Sequence, residues 1–181
     1  VTLSNGAVIT IAAGASSSSV SVAAPSDDVY VDAGSVSATI ASAAGGNFES
    51  LAINPAAATT SITDTPNTTT VSISGDGIIA EGTSASYTVS LTSPAQSAVT
   101  VNLSYSGTAA NGTDFTGVAS VTIPAGASSA SFSLATIDDA LAEGSENFTV
   151  SIASAAGGNF ENLALGGSAN SMNLSNAKES T

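Results

Sequence analysis

Apolar residues in this chain recur at every second position, and no segment carries them at the spacing of a helix. Val71 and Ile73 alternate with Ser. Ala85, Tyr87, Val89 and Leu91 alternate with Ser and Thr, and Val99, Val101, Leu103 and Tyr105 alternate in the same way. The pattern continues through Val121 and Ile123, Phe132 and Leu134, Phe148, Val150 and Ile152, then Met172 and Leu174. Successive side chains of a strand point to opposite faces, so each segment reads as a strand with one apolar and one hydroxyl face. Between the segments stand SGDG, SPAQ, NGTD, PAGA and AAGGN, whose Gly, Pro, Asn and Asp suit turns. Seven short alternating strands with such turns predict an all-β chain folded as a β-sandwich.

The chain also repeats itself. ASAAGGNFE at Ala41–Glu49 returns at Ala153–Glu161, an offset of 112 residues. The same offset aligns Ile9–Ser19 with Val121–Ser131 and Ser61–Asp64 with Asn173–Asn176. Self-similarity at a fixed period predicts units in tandem. On this reading residues 66–176 are a complete unit and residues 177–181 a tail. Residues 1–65 are the back half of another unit, with front strands missing or supplied from elsewhere. The opening VTLSNG resembles the inside of a strand pattern, so a mature or excised piece of a longer protein is expected.

Charge narrows the function. The chain has 14 acidic residues, one basic residue (Lys178), and a net charge of −13. Nucleic-acid binding by displacement of counterions is excluded, because it needs Lys and Arg. Docking on an anionic membrane is disfavoured, and no apolar run is long enough to insert directly into a bilayer. Without Cys or His, thiolate and imidazole metal sites are impossible, as is a Ser–His–Asp triad. Charged residues are only 8% and apolar ones 43%, a balance that folds rather than stays disordered.

One cation cannot neutralise 14 carboxylates. In IDDALAEGSENF, Asp138 and Asp139 end one strand, and Glu143 and Glu146 precede the next. Glu81 stands in AEG before the second strand, and Asp114 in NGTDF after the third. Loops of a sandwich can converge at one end, where several carboxylates repel unless a cation joins them. Flexible sets of oxygen ligands suit Ca²⁺. The same residues also read as solvated turn acids. The first unit carries Asp27, Asp28 and Asp32 in APSDDVYVD and closes on Asp64. The 112-residue offset sets Asp27 opposite Asp139, Ser26 opposite Asp138, Val31 opposite Glu143 and Asp64 opposite Asn176.

In order and spacing, ISGDGIIAEGTSASYTVSL, NGTDFTG and VTIPAGASSASFSLATIDDALAEGSENFTVSI resemble the Calx-beta domain. The resemblance covers residues 66–176 and the back half of a second copy. It implies an immunoglobulin-like sandwich of seven strands, with Ca²⁺ held at one apex near the junction with the next domain. Carried over by position, the ligands are Glu81, Asp114, Asp138, Asp139 and Glu143. Asp64 matches the closing acidic run in the first copy, and Asp27 and Asp28 are that copy's remaining candidates. Asn176 departs from the acidic run. Tandem copies with a cation-poor surface look like the extender region of large secreted bacterial adhesins. That likeness implies a rigid stalk at the cell surface, with neighbouring repeats as partners and Ca²⁺ stiffening the junctions. The alternative is a subunit of an extracellular fibre or biofilm matrix. There the open face of the first unit, with Ile9, Ile11, Val20 and Val22, would be completed by strands from another chain. A carboxylate-dependent hydrolase is the reading from another class. It lacks an aromatic-rich cleft, so no enzyme is expected.

Overall fold

An alternating segment becomes a strand only where a neighbour supplies its hydrogen-bond partners. The computed structural model describes residues 1–32, 34–138, 144–166 and 170–175, and their regular structure is all strand. The chain divides into two units. The first comprises Val1–Asp28 and Asp32–Thr65, the second Val29–Val31 and Pro66–Thr181.

In the first unit the strands are β1 (Thr2–Leu3), β2 (Ser35–Ala38), β3 (Ile40–Ser42) and β4 (Ala58–Ser61). The second unit holds β5 (Thr68–Gly75), β6 (Ile78–Ala80), β7 (Ser84–Leu91), β8 (Val99–Gly107) and β9 (Phe115–Thr116). It continues with β10 (Ser120–Ile123), β11 (Ser129–Thr136), β12 (Glu146–Gly157), β13 (Asn162–Leu165) and β14 (Asn170–Ser175). All seven alternating segments of this unit are therefore strands. The count of seven is too low, however, because β6, β9 and β13 bring the described strands to ten.

These ten strands form two five-stranded sheets, ordered β10-β8-β12-β14-β6 and β13-β5-β7-β11-β9. The ladders are antiparallel except at two edges, where β13 runs parallel to β5 and β14 parallel to β6. The chain changes sheets between β5 and β6 through Gly75–Gly77. Gly75 must lack a side chain there, since a Cβ would overlap the ring of Tyr87. The inward residues of both sheets make one core. Val99, Val101, Ile123, Phe148, Val150, Met172 and Leu174 come from one sheet, and Val71, Val89, Tyr87, Leu134 and Phe115 from the other. Phe115 on the edge strand β9 and Phe148 on β12 stack at 4.4 Å between ring centroids, which ties the two sheets together. A bulge between Ile152 and Ser154 bends the long strand β12 along its partner β8.

Tyr105, near the end of β8, pins the loop that follows Thr116. Its hydroxyl donates to the Val118 carbonyl at 2.7 Å and accepts from the Val118 N–H at 2.9 Å. Its ring packs on Phe115 at 5.3 Å. Burial pushes the Tyr105 phenol above its ordinary value of 10.0, and the bond to Val118 offsets part of that rise.

The turn after β12 holds three successive residues at positive φ: Gly157 (109°), Gly158 (84°) and Asn159 (58°). The matching turn in the first unit has Gly45 (96°), Gly46 (84°) and Asn47 (54°). A Cβ on Gly46 would collide with the Phe48 ring, as one on Gly158 would with Phe160. Local sequence thus builds the same turn twice, but the surroundings differ. Phe160 is 8% exposed and stacks on Tyr30 at 5.6 Å, whereas Phe48 is 67% exposed.

The pairing of β2 with β4 sets Val36 opposite Thr60 and Ala38 opposite Ala58. With 112 added to each number, this is the register of β12 with β14, Phe148 opposite Met172 and Val150 opposite Asn170. Ile9, Ile11, Val20 and Val22 align with strand residues of the second unit, and none of them lies on a strand. Ile9 bonds to the Val1 backbone, its N–H donating to the Val1 carbonyl at 2.8 Å and its carbonyl accepting from the Val1 amino group at 3.0 Å, but the ladder partners of the second unit are missing. The counterparts of all four, Val121, Ile123, Phe132 and Leu134, pair with Val101, Val99, Tyr87 and Ala85 on β8 and β7. Residues 1–65 contain no counterpart of β7 or β8. The edge of β3 is taken instead by β1, with Leu3 opposite Ile40.

The two phenylalanines of the repeated turn should respond differently to truncation. Phe160→Ala is expected to cost about 3 kcal/mol of unfolding free energy, and Phe48→Ala no more than about 0.5 kcal/mol. Urea unfolding followed by circular dichroism measures both. Tyr105 should shape the alkaline limb of stability. The folded chain holds this proton more tightly than the unfolded one, so its stabilisation is complete below about pH 10 and falls as pH rises further. Tyr105→Phe should lower the urea midpoint at pH 8 through the lost Val118 bonds, yet flatten the decline between pH 8 and pH 11.

Candidate functional site

The candidate ligands of the second unit depend on one turn between β6 and β7. Thr83 Oγ1 donates to the Ala80 carbonyl, and the Glu81 N–H donates to the Ser175 carbonyl of β14 at 3.2 Å. Thr136, at the end of β11, is buried and stitches this turn to its own strand. Its N–H and hydroxyl both donate to the Thr83 carbonyl, at 2.9 and 2.8 Å, and its hydroxyl accepts from the Thr83 N–H at 3.1 Å. The chain then runs two residues on to Asp138, which lies over Gly82. A Cβ on that glycine would meet the Asp138 Cβ at 3.0 Å and its Oδ2 at 3.7 Å. Gly82 is at φ +72°, so the Glu-Gly pair provides both the bend and the room for the carboxylate. Asp114 reaches the same end through the backbone, its carbonyl accepting from the Ile137 N–H at 2.8 Å.

The fold therefore brings the backbones of Glu81, Asp114 and Asp138 to one end of the sandwich. It does not point the three carboxylates at one another. The Asp114 carboxylate turns back into its own loop and accepts from the Ala110 N–H. Asp139 and Glu143 lie outside the described residues, as does Asn176.

In the first unit, Asp27 and Asp64 share the lining of a cavity of about 200 Å³ with Ser26, Gly34 and Ile62–Thr65. Asp32 lines it too. That residue was noted in APSDDVYVD without being placed among the candidate ligands. Its counterpart is Gly144, just as Asp28 stands opposite Ala140 and Asp64 opposite Asn176. Asp28 is not part of this lining. Asp64 also accepts from the Thr65 N–H at 3.1 Å, a short local bond that orients it on the cavity wall.

Both ends are acidic and built from turns, and both can attract cations. Among the described residues, however, no group of three or more Asp or Glu is arranged to hold a metal ion. The expected Ca²⁺ set of the second unit includes Asp139 and Glu143, which lie outside the described residues.

Several solved structures are similar to this chain. The apo-form Calx CBD1 domain is 19% identical, with a TM-score of 0.48 over 60% of this chain and 98% of that one. CBD12 from CALX1.2 is 20% identical, with a TM-score of 0.51 over 59% of this chain and 45% of that one. The calcium binding domain CBD12 of CALX1.1 is 22% identical, with a TM-score of 0.49 over 59% and 44%. The chain spans less than half the length of the two CBD12 structures. The likeness to CBD12 from CALX1.2 is one of fold, and it agrees with the sandwich implied by the Calx-beta resemblance. Among curated proteins, no sequence matches the chain. The LapA domain model matches twice, over residues 1–65 and again over residues 67–176, so the chain belongs to the LapA domain family.

Proposed function

We propose that this chain is a structural segment of a bacterial surface adhesin, one of the repeats that form a stalk between the cell and its target. The observation that carries the reading is the match of the LapA domain across both units. The surface suits it. Outward positions of the strands are largely Ser and Thr, as in Ser72 and Ser74 on β5 and Thr100 and Ser104 on β8. Such a surface is hydrated without Lys or Arg, and one Lys in 181 residues leaves trypsin-like proteases almost nothing to cut. LapA and Calx-beta domains are adhesion or binding modules rather than enzymes, and catalysis has no part in this reading. Neighbouring repeats of the same type are the proposed partners.

Calcium belongs to the same proposal. One structural neighbour is titled a calcium binding domain. The residues that would receive the ion here are Asp27, Asp32 and Asp64 in the first unit, and Glu81, Asp114, Asp138, Asp139 and Glu143 in the second. As placed, the described carboxylates do not close on one point. Binding would therefore require them to draw together, which supplies the stiffening that a stalk needs.

Antibodies against this chain should label intact producing cells. Labelling only after lysis would end the surface reading. Calcium at about a hundredfold over its Kd should add about 2.7 kcal/mol to the folded state, a rise of several degrees in Tm relative to EDTA. Asp27→Asn with Asp64→Asn, and Asp138→Asn with Asp139→Asn, should each remove part of that rise. Identical melting in calcium and in EDTA would remove calcium from the proposal and leave the adhesin reading standing.

A further inference from the structure

The second unit takes in three residues from outside its own repeat. Val29–Val31 belongs to it, although Asp28 and Asp32 on either side belong to the first unit. The three residues run antiparallel to Asn159–Glu161. The Val31 N–H donates to the Asn159 carbonyl and the Glu161 N–H to the Val29 carbonyl, both at 3.1 Å, with Tyr30 opposite Phe160. The Tyr30 ring stacks on Phe160 at 5.6 Å, and its hydroxyl donates to the Pro94 carbonyl at 2.6 Å. Val29 and Tyr30 pack against the core, whereas Val31 is 59% exposed and contributes backbone alone.

The notch that receives this segment is built by other residues. Gly157, Gly158 and Asn159 hold their turn at positive φ. The loop before β8 locks that turn. The Gln96 N–H donates to the Gly158 carbonyl at 3.0 Å, the Gly158 N–H to Ser97 Oγ at 3.1 Å, and Asn159 Nδ2 to Gln96 Oε1 at 2.7 Å. None of these bonds involves residues 29–31. Neither five-stranded sheet includes them, since the pairing of Tyr30 with Phe160 is an isolated bridge. The segment can therefore leave without opening a ladder, and the notch is organised in advance of its occupant. At the equivalent positions 112 residues on, the chain has Leu141, Ala142 and Glu143, so the tyrosine is not a shared feature of the two copies.

We propose that the notch between Pro94 and Phe160 is a binding site for a short extended peptide with an apolar residue followed by tyrosine, and that Val29–Val31 is its occupant in cis, a releasable latch. Phe160 offers a face to the ring, the Pro94 carbonyl selects the hydroxyl, and the backbone of 159–161 pairs with the extended segment.

The test keeps the full 181-residue chain and empties the notch with Tyr30→Ser. Amide exchange at Glu161 is expected to rise about tenfold, with the amides of β8 and β12 unchanged. The probe is a peptide of residues 26–32, titrated into the millimolar range because a tethered segment acts at an effective concentration of about that order. High salt screens the repulsion between two acidic partners. In the Tyr30→Ser chain the peptide should slow Glu161 exchange again by roughly threefold or more, and in the unaltered chain by much less. The same peptide with Tyr30→Phe should bind about threefold more weakly, through loss of the bond to Pro94, and with Tyr30→Ala not at all. If Tyr30→Ser unsettles the sheets, Tyr30→Phe in the full chain replaces it, with a rise of about threefold at Glu161. The proposal fails if Glu161 exchanges at the unaltered rate in both variants, or if the peptide leaves Glu161 unchanged. It also fails if the Tyr30→Ala peptide acts as well, or if the peptide acts equally on the unaltered chain.

Discussion

Backbone pairing across the middle of each sheet is the interaction on which the rest of this structure depends. In the second unit β8 lies between β10 and β12, and β7 lies between β5 and β11. These central strands satisfy the ladders on both sides and carry the residues that seal the core, among them Tyr87, Val89, Val99 and Val101. Where they have no counterpart, in the first unit, sequences of the same character stay out of ladders. Val20 and Val22 have the alternation of Phe132 and Leu134, but alternation only makes a segment competent to be a strand. The partner makes it one. What survives without the centre is local: the β2–β4 pairing in its register and the turn at Gly45–Phe48.

Electrostatics acts at the ends rather than along the body. Strand faces carry hydroxyls, so the sandwich itself holds almost no charge to balance. The acids are confined largely to turns, and a net charge of −13 resides there with Lys178 as the only side-chain cation. A turn built on Gly82 can accept Asp138 close against it because glycine leaves room, and the Thr136 bonds hold that turn in place. The polar network at this end is thus built by neutral groups, and the carboxylates stand on it.

Much of this was legible from residue order. Strands β5, β7, β8, β10, β11, β12 and β14 all follow from alternation. Strands β6 and β9 were not visible because three and two residues are too few to show a period, and β13 because Leu163, Ala164 and Leu165 are apolar in succession. Both parallel edges were hidden as well, since Ile79 and Leu174 meet only through the fold. The site was read in part. Spacing and resemblance placed Glu81, Asp114 and Asp138 at one end, but not the direction of the Asp114 carboxylate, which its own loop captures through Ala110. Asp32 was not read as a ligand because only the fold sets it on the same cavity wall as Asp27 and Asp64.

The parallel edge has a mechanical consequence. Strand β6 lies near the start of the second unit and β14 near its end, and they run side by side in the same direction, with Ile78, Ile79 and Ala80 opposite Asn173, Leu174 and Ser175. Tension applied at residues 66 and 175 loads β5 first, and once it reaches β6 it slides β6 and β14 past each other along their length. Their bonds, including those from Asn173 N–H to the Gly77 carbonyl and from Glu81 N–H to the Ser175 carbonyl, then share the load rather than open one after another. An antiparallel edge pulled at its two ends would peel. This edge resists in shear, so the unit meets a pull along its chain with the whole ladder at once.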